Sequence, residues 1–354
     1  MAMNYAEKMT LPAAETQAVV KATSAAADEF LDEGKHRPNV VGVGAGVKWK
    51  NGEPTGEPAV LVLVTHKMAK SQLSKDELVP AKLQAMQTDV LAVGDVIAGG
   101  GVQHGVGIQT LAKRTRPAKG GYSVGHFQIT AGTIGTCVYD LLPGASTDPD
   151  NPVHGVGIPS RYYILSNNHV LADVNAGPIG ASILQPGPID GGADPADRIA
   201  RLSRFITIRL TPAVPLALQN NIVDCAVAEA DFHDLDREIY WSGNVRGWRR
   251  RAQVLQMIGQ TVKKTGRTTH FTTGRITAVN ATIDVNFGNG RVGRMRDQIV
   301  TTNMSAGGDS GSLVLTPDNV AIGLLFAGSN VSMIANQIEN VRSLLRVEVA
   351  EQIL

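Results

Sequence analysis

The sequence predicts a mainly β chain that carries a small α+β domain at its N-terminus. Three observations carry that expectation. Gly supplies 38 of the 354 residues, and helix interiors tolerate glycine poorly, at ~1 kcal/mol each relative to alanine. Short β-branched runs recur through the last two thirds of the chain, punctuated by turn residues, which is the pattern of barrels or sandwiches. Apolar residues at helical spacing are confined to residues 1–98 and 337–346.

The composition sets further bounds. At roughly 100–200 residues per domain, the length admits two or three domains. Apolar residues make up 43%, near the globular average of about 45–50%, so a core can form and wholesale disorder is excluded. Lys plus Arg is 33 and Asp plus Glu is 32, a net charge of +1. Nucleic acid is therefore not expected as a partner, because no strong basic field exists.

The elements follow in order. Residues 13–33 have apolar positions at helical spacing and an alanine-rich composition, and predict a helix. Val40–Trp49 and Ala59–Thr65 read as strands, with the turn-prone NGEPTGEP between them. Residues 72–86 read as a short helix broken at Pro80, whose ring removes a donor. Asp89–Val93 reads as a strand. The order α-β-β-α-β suggests a small α+β domain at residues 1–98, and the role expected of this extra domain is assembly or regulation. Residues 99–121, rich in Gly and basic side chains, read as a connection. Further strands are expected at 132–139, 161–166, 222–228, 252–263, 273–285, 297–303, 311–316 and 321–327, with a closing helix at about 337–346.

The N-terminus lacks a basic region followed by ~7–15 apolar residues, so no secretory signal is expected. No run approaches the ~18 apolar residues of a membrane span. The expected location is cytoplasmic, with no membrane partner. Cys137 and Cys225 fit no metal spacing, and two reduced, buried thiols are expected rather than a disulfide.

Three motifs carry chemistry. YYILSNNHVLAD places His169 just past an apolar strand, NNIVDCAVAEAD places Asp224 in an apolar β-prone run, and SAGGDSGSLVL places Ser310 between glycines ahead of another strand. A serine hydroxyl needs an adjacent base to act as a nucleophile. Histidine takes and returns a proton near neutrality. A buried aspartate fixes the imidazole tautomer and stabilises the imidazolium. Glycines before Ser310 let the backbone turn so that the Gly308 and Ser310 N–H groups face a developing oxyanion.

These motifs and their His–Asp–Ser order resemble the chymotrypsin/trypsin-like serine proteases. NNHVLA and DCAVAEA are similar to the HtrA/Deg branch. VKKTGRTTHFTTGRITAVNATIDV, IVTTNMSAGGDSGSLV and AIGLLFAGS are similar to the streptogrisin type. The whole-chain layout resembles bacterial relatives of the plant NARROW LEAF-type proteases. It shares VGVGAGVKW with AVLVLV, then RPAKGGYSVGH and ILQPGPIDGG.

The resemblance implies a two-barrel chymotrypsin-like protease domain at 122–354, with barrels at about 122–240 and 250–335. It implies a serine endopeptidase with His169 as base, Asp224 as its orienter, Ser310 as nucleophile, and Gly308 and Ser310 as oxyanion donors. Asp309 would hold the loop. Protein or peptide substrates, homo-oligomers and no cofactor or metal are also implied. Met304 and Ser305 are the candidate floor of the specificity pocket, and Phe326, Ala327 and Gly328 its wall. With no Asp ahead of Ser310 to pair a basic side chain, small or medium apolar residues are the expected preference. The alternative is a catalytically silent scaffold on the same fold that binds peptides or protein partners.

The sequence also departs from the pattern. Phe326 stands where extracellular members carry a serine that contacts the catalytic Asp, which leaves Asp224's second partner open. Ser312 replaces a Gly, and no activation-type N-terminus precedes the barrels. Asp231 and Asp234 compete with Asp224 but lie past the apolar run. Cys225 reads as a core thiol. His126, His154, His233 and His270 are scattered and suggest no metal site. The acidic loop at 190–197 lacks calcium-loop spacing and reads as a solvated turn. RGWRRR at 246–251 reads as a solvated loop between barrels, and the glycines of GVGAGV at 42–47 as an aid to close sheet packing.

Overall fold

The structure, a computed structural model, describes residues 5–350 apart from 12, 36, 38, 84, 101–109, 130 and 149–152. Much of the connection expected at 99–121 therefore lies outside the described residues.

Two antiparallel rings form the body. In the first, Ser123–His126 pairs with Gly132–Thr133, whose continuation Thr136–Asp140 pairs with Tyr162–Ser166. That strand pairs with Ala226–Ala230, then Arg198–Phe205, then Ser182–Leu184, which returns to Ser123–His126. In the second, Thr261–Gly266 pairs with His270–Asn286, which pairs with Val292–Thr302. Ser332–Gln337, Ala321–Gly328 and Leu313–Leu315 follow in pairing order and close back onto Thr261–Gly266. In each ring the first strand along the chain pairs with the second and the fourth, and the third with the last. The chain thus builds the same six-stranded ring twice, which gives two barrels. Strand alternation sends Val124, Ile164, Ile183, Leu202 and Ala228 into one core, and Val262, Ile276, Ile299, Val314 and Leu325 into the other.

The N-terminal unit is joined to the second barrel. Val40–Lys50 pairs with His270–Asn286, with Gly42 opposite Ile283 and Ala45 opposite Val279. The joint is tight at Gly42, where a Cβ would lie 2.6 Å from the Thr282 carbonyl oxygen. Glu53–Val64 and Met86–Ala92 extend the sheet outward, the latter in parallel. Helix Ala13–Phe30 covers this extension by burying Val19, Ala22, Ala26, Ala27 and Phe30. Its alanines let the helix lie close against Val43, Val60 and Val62.

Several local expectations need correction. NGEPTGEP is mostly strand. Only Asn51 and Gly52 turn, at φ 53° and 81°, the left-handed pair of a two-residue hairpin, and Glu53 already pairs with Lys50. Of the helix expected at 72–86, residues 73–78 form turns and bends instead, and Lys82–Leu83 is a short strand. Ser74 N–H donates to Glu77 Oε2 at 2.8 Å, a local alternative to helical bonding. The expected strand 252–263 begins as helix Arg251–Val254 and becomes strand only at Thr261. Gln253 Oε1 accepts the Arg250 N–H at 2.9 Å and starts that helix. The 246–251 run is not merely solvated: Arg251 Nε lies 2.7 Å from Asp297, and Trp248 Nε1 donates a hydrogen bond to Glu348 at 3.0 Å.

The last elements tie the barrels together. Helix Ile338–Leu345 follows the last strand of the second barrel, and Val347–Val349 then pairs with Thr136–Asp140 of the first. Arg342 and Glu348, 2% and 5% exposed, pair at 2.6 Å, with Arg342 stacked on Trp248. Among the described residues no helix is long and apolar enough to cross a membrane. Removing one partner of a buried ion pair strands the other charge, at about 3–5 kcal/mol. Glu348→Ala is therefore expected to lower the urea midpoint by that much stability. An unchanged midpoint would show that the clasp contributes nothing.

Candidate active site

The two barrels face each other across a cleft, and the three motifs meet there. Strand Tyr162–Ser166 ends at Asn167, and one short turn of helix, Asn168–Leu171, carries His169. The asparagines before it are structural. Asn167 Nδ2 donates to the Asp224 carbonyl at 2.8 Å, and Asn168 Nδ2 to Asn175 Oδ1 and the Ile206 carbonyl at 2.7 and 2.8 Å. Asp224 lies just ahead of strand Ala226–Ala230 rather than inside it. Asn336, from the second barrel, accepts the Asp224 N–H at 2.9 Å.

Asp224 is fully buried, and its Oδ2 lies 2.6 Å from His169 Nδ1. Its Oδ1 accepts the His169 main-chain N–H at 3.2 Å. That contact supplies the second partner that Phe326 had left open, and it comes from the histidine's own backbone. Asp231 and Asp234 are used elsewhere: Asp231 caps the His233 N–H, and Asp234 lies 3.8 Å from Arg116.

Ser310 sits in a loop organised by Asp309, whose carboxylate is fully buried. Asp309 accepts from the N–H groups of Thr268, Thr269 and Ala306 at 2.8, 3.1 and 3.0 Å, and from Thr269 Oγ1 at 2.6 Å. Lys264, also fully buried, places its ammonium 3.3 Å away and donates to Thr269 and to the His270 carbonyl. Thr268 Oγ1 donates to the Gly307 carbonyl and Thr133 Oγ1 to the Gly308 carbonyl, at 2.7 and 2.9 Å. With their carbonyls held from behind and Gly308 at φ 96°, the loop takes the sharp turn expected of it.

His169, Gly307, Gly308 and Ser310 line one open cleft of about 950 Å³, together with Ile189, Arg267 and Phe287. A Cβ on Gly99 would lie 3.5 Å from His169 Nε2 and 3.9 Å from Ser310 Oγ, so a single small group can reach both. Ser310 Oγ is directed at the Phe326 carbonyl, 3.3 Å away. The 190–197 loop is not simply solvated: Asp190 is buried and paired with Arg267 from the other barrel, at 2.8 Å to Nε. The candidate pocket residues divide. Met304 packs into the second core with its sulfur against Gly274, and the Phe326 ring is likewise in core. Of the rest, the Phe326 carbonyl accepts the Ser310 hydroxyl, Ala327 and Gly328 pair with Ala98 and Ile97, and Ser305 Oγ is buried with no hydrogen-bond partner among the described residues. Both cysteines are buried and unpaired. Burial pushes the Cys137 thiol up to about 12, and burial with Asp224 pushes Cys225 well above its ordinary value, so neither is a ready nucleophile.

A histidine and aspartate from one barrel thus face a serine from an identically ordered second barrel. The fold is chymotrypsin-like. No protein-family model matches the chain. It is 45% identical over 76 residues to Glutamyl endopeptidase 2 of Streptomyces griseus, a match over 22% of this chain. The chain spans 37% of the length of that relative. Among solved structures it is similar to Thermobifida fusca Protease A, with TM-score 0.43 and 16% identity over 66% of this chain and 98% of that one. It is also similar to a glutamic acid-specific serine protease described as using a histidine triad in substrate binding, with TM-score 0.42 and 19% identity over 66% of this chain and all of the other.

Sequence reasoning passed over Lys264, Thr268 and Thr269. Their signal was present in KKTGRTTH: Val262 points inward, and a period of two carries Lys264 to the same face. Burial pushes the Lys264 ammonium below the ordinary lysine range, against the pull of Asp309. Its charged form is the one that holds Asp309. Under the hydrolytic reading proposed below, activity should therefore fall as pH rises through the lowered Lys264 value, below the ~10.4 of a free lysine. Lys264→Arg should move that alkaline limb upward. A pH–rate profile with the same limb in both proteins would exclude Lys264 as its origin.

Proposed function

We propose that the chain is a serine endopeptidase that cleaves peptide bonds through an acyl-enzyme. The observation that carries this reading is the buried Asp224–His169 pair opening onto the cleft that holds Ser310. Ser310 Oγ attacks the carbonyl, and His169 takes its proton and returns it to the leaving amine. Asp224 orients the ring and stabilises the imidazolium. The Gly308 and Ser310 N–H groups receive the oxyanion, on the loop that Asp309 and Lys264 hold in shape. This chemistry calls on no cofactor.

The partial likeness to a glutamyl endopeptidase supports peptide-bond cleavage as the reaction class. For the cleaved position we propose small or medium apolar residues, because the described residues that line the cleft of Ser310 include no acidic side chain to pair a basic one. A peptide-library profile led by Arg or Lys would overturn that preference. One led by Glu would also overturn it, while leaving the reaction in place.

Prolonged exposure to a fluorophosphonate, followed by intact-mass measurement, should add one label to the wild-type chain and none to Ser310→Ala. Asp224→Asn should slow labelling and peptide turnover by ~10⁴, since it leaves the imidazole in the wrong tautomer. A wild-type chain that takes no label would favour the silent peptide-binding scaffold instead.

A further inference from the structure

The N-terminal unit reaches the cleft through residues 93–100. Two serines of the second barrel anchor the start: Ser329 and Ser332 donate to the Val93 carbonyl at 2.5 and 2.7 Å. Asn286 N–H then donates to the Val96 carbonyl at 3.1 Å. Ile97–Ala98 forms a short strand antiparallel to Ala321–Gly328, with Ala98 opposite Ala327 and Ile97 opposite Gly328. Gly99 N–H donates to the Phe326 carbonyl at 3.0 Å.

This is how an extended peptide adds to an exposed strand edge, and the edge in question is the one beside Ser310. The same Phe326 carbonyl receives the Ser310 hydroxyl. His169 Nε2 is buried and has no hydrogen-bond partner among the described residues. The segment then turns away. Gly100 N–H donates to the Ile97 carbonyl at 2.9 Å and Gly99 has φ +69°, a type II turn with glycine at its third position. Gly99 therefore stands over the His169–Ser310 pair.

We propose that Ile97–Gly100 is an internal strap that occupies the edge a substrate strand needs, so that the resting enzyme is latent until the strap is displaced. The inference rests on Ser310 being the nucleophile. A tethered segment acts at an effective concentration on the order of millimolar, so free peptides at lower concentration compete poorly with it.

Gly99→Pro separates the strap from the edge, because proline lacks the N–H that Phe326 accepts and fixes φ near −65°. Ser310 should then take a fluorophosphonate roughly tenfold faster than in the wild type, or more, as expected for losing one hydrogen bond and the turn together. Ala98→Cys with Ala327→Cys makes the opposite test. The two positions face each other on adjacent antiparallel strands, within reach of a disulfide. Oxidised, that full-length variant should label more slowly than the wild type, and a reductant should restore the rate. Thermal melts would confirm that each variant is folded. Equal rates in the wild type, Gly99→Pro and the oxidised double variant would overturn the strap and leave the protease reading standing. Folded variants of which none takes label would overturn the protease reading, and the strap with it.

Discussion

The buried carboxylate of Asp309 is the interaction on which the site depends. A loop with glycines on both sides of its serine has no preferred shape of its own, and the main-chain N–H groups at an oxyanion must point in one direction before the reaction starts. Asp309 removes that freedom by collecting three main-chain N–H groups and a hydroxyl from two separate segments. Four donors and a cation meet one carboxylate, so its charge is compensated where water cannot reach. Lys264 supplies the cation from inside the same barrel, so the loop needs no new chain terminus to organise it.

The second constraint is the seam between barrels. Asp224 belongs to the first barrel but hydrogen-bonds Asn336 of the second, while Thr133 of the first holds Gly308 of the second. Asp190 and Arg267 add a buried ion pair across the same seam. The residues that face the cleft are thus held by contacts that belong to neither barrel alone. The N-terminal unit is joined to this system through the strand His270–Asn286, which also forms a wall of the second barrel. Main-chain hydrogen bonding thus runs without a break from that unit into the second barrel.

The sequence made the three motif residues, their order and the β-rich architecture legible, because each rests on short-range pattern: a turn of known type, an apolar strand, a glycine-flanked serine. It was less informative where long-range pairing decides. Ser332–Gln337 was missed as a strand, because SMIANQ puts Ser332 and Asn336 in buried positions that a two-period pattern would leave to solvent. Arg198–Phe205 was missed because its arginines interrupt the apolar run. Residues 252–258 were misread because a short apolar run does not distinguish helix from strand. Lys264 was passed over because a lysine is ordinarily on the surface, and only the partner forty-five positions away makes its burial tolerable. The short strand Ile97–Ala98 fell at the end of the expected α+β domain, just ahead of the stretch read as connection, and two residues are too few to show a pattern.

The pairing of Val40–Lys50 with His270–Asn286 also bears on how the molecule is made. The N-terminal hairpin leaves the ribosome long before the strand it needs. At ~5–20 residues per second, its partner arrives on the order of ten seconds or more later. For that interval an apolar sheet edge stands open, and open edges recruit other chains. Helix Ala13–Phe30, made before the hairpin, can cover only one face of it and leaves the edge itself bare. Crowded translation is therefore the stage at which this chain is most exposed to misassembly, and the vulnerable surface is the same one that later fastens the N-terminal unit to the second barrel.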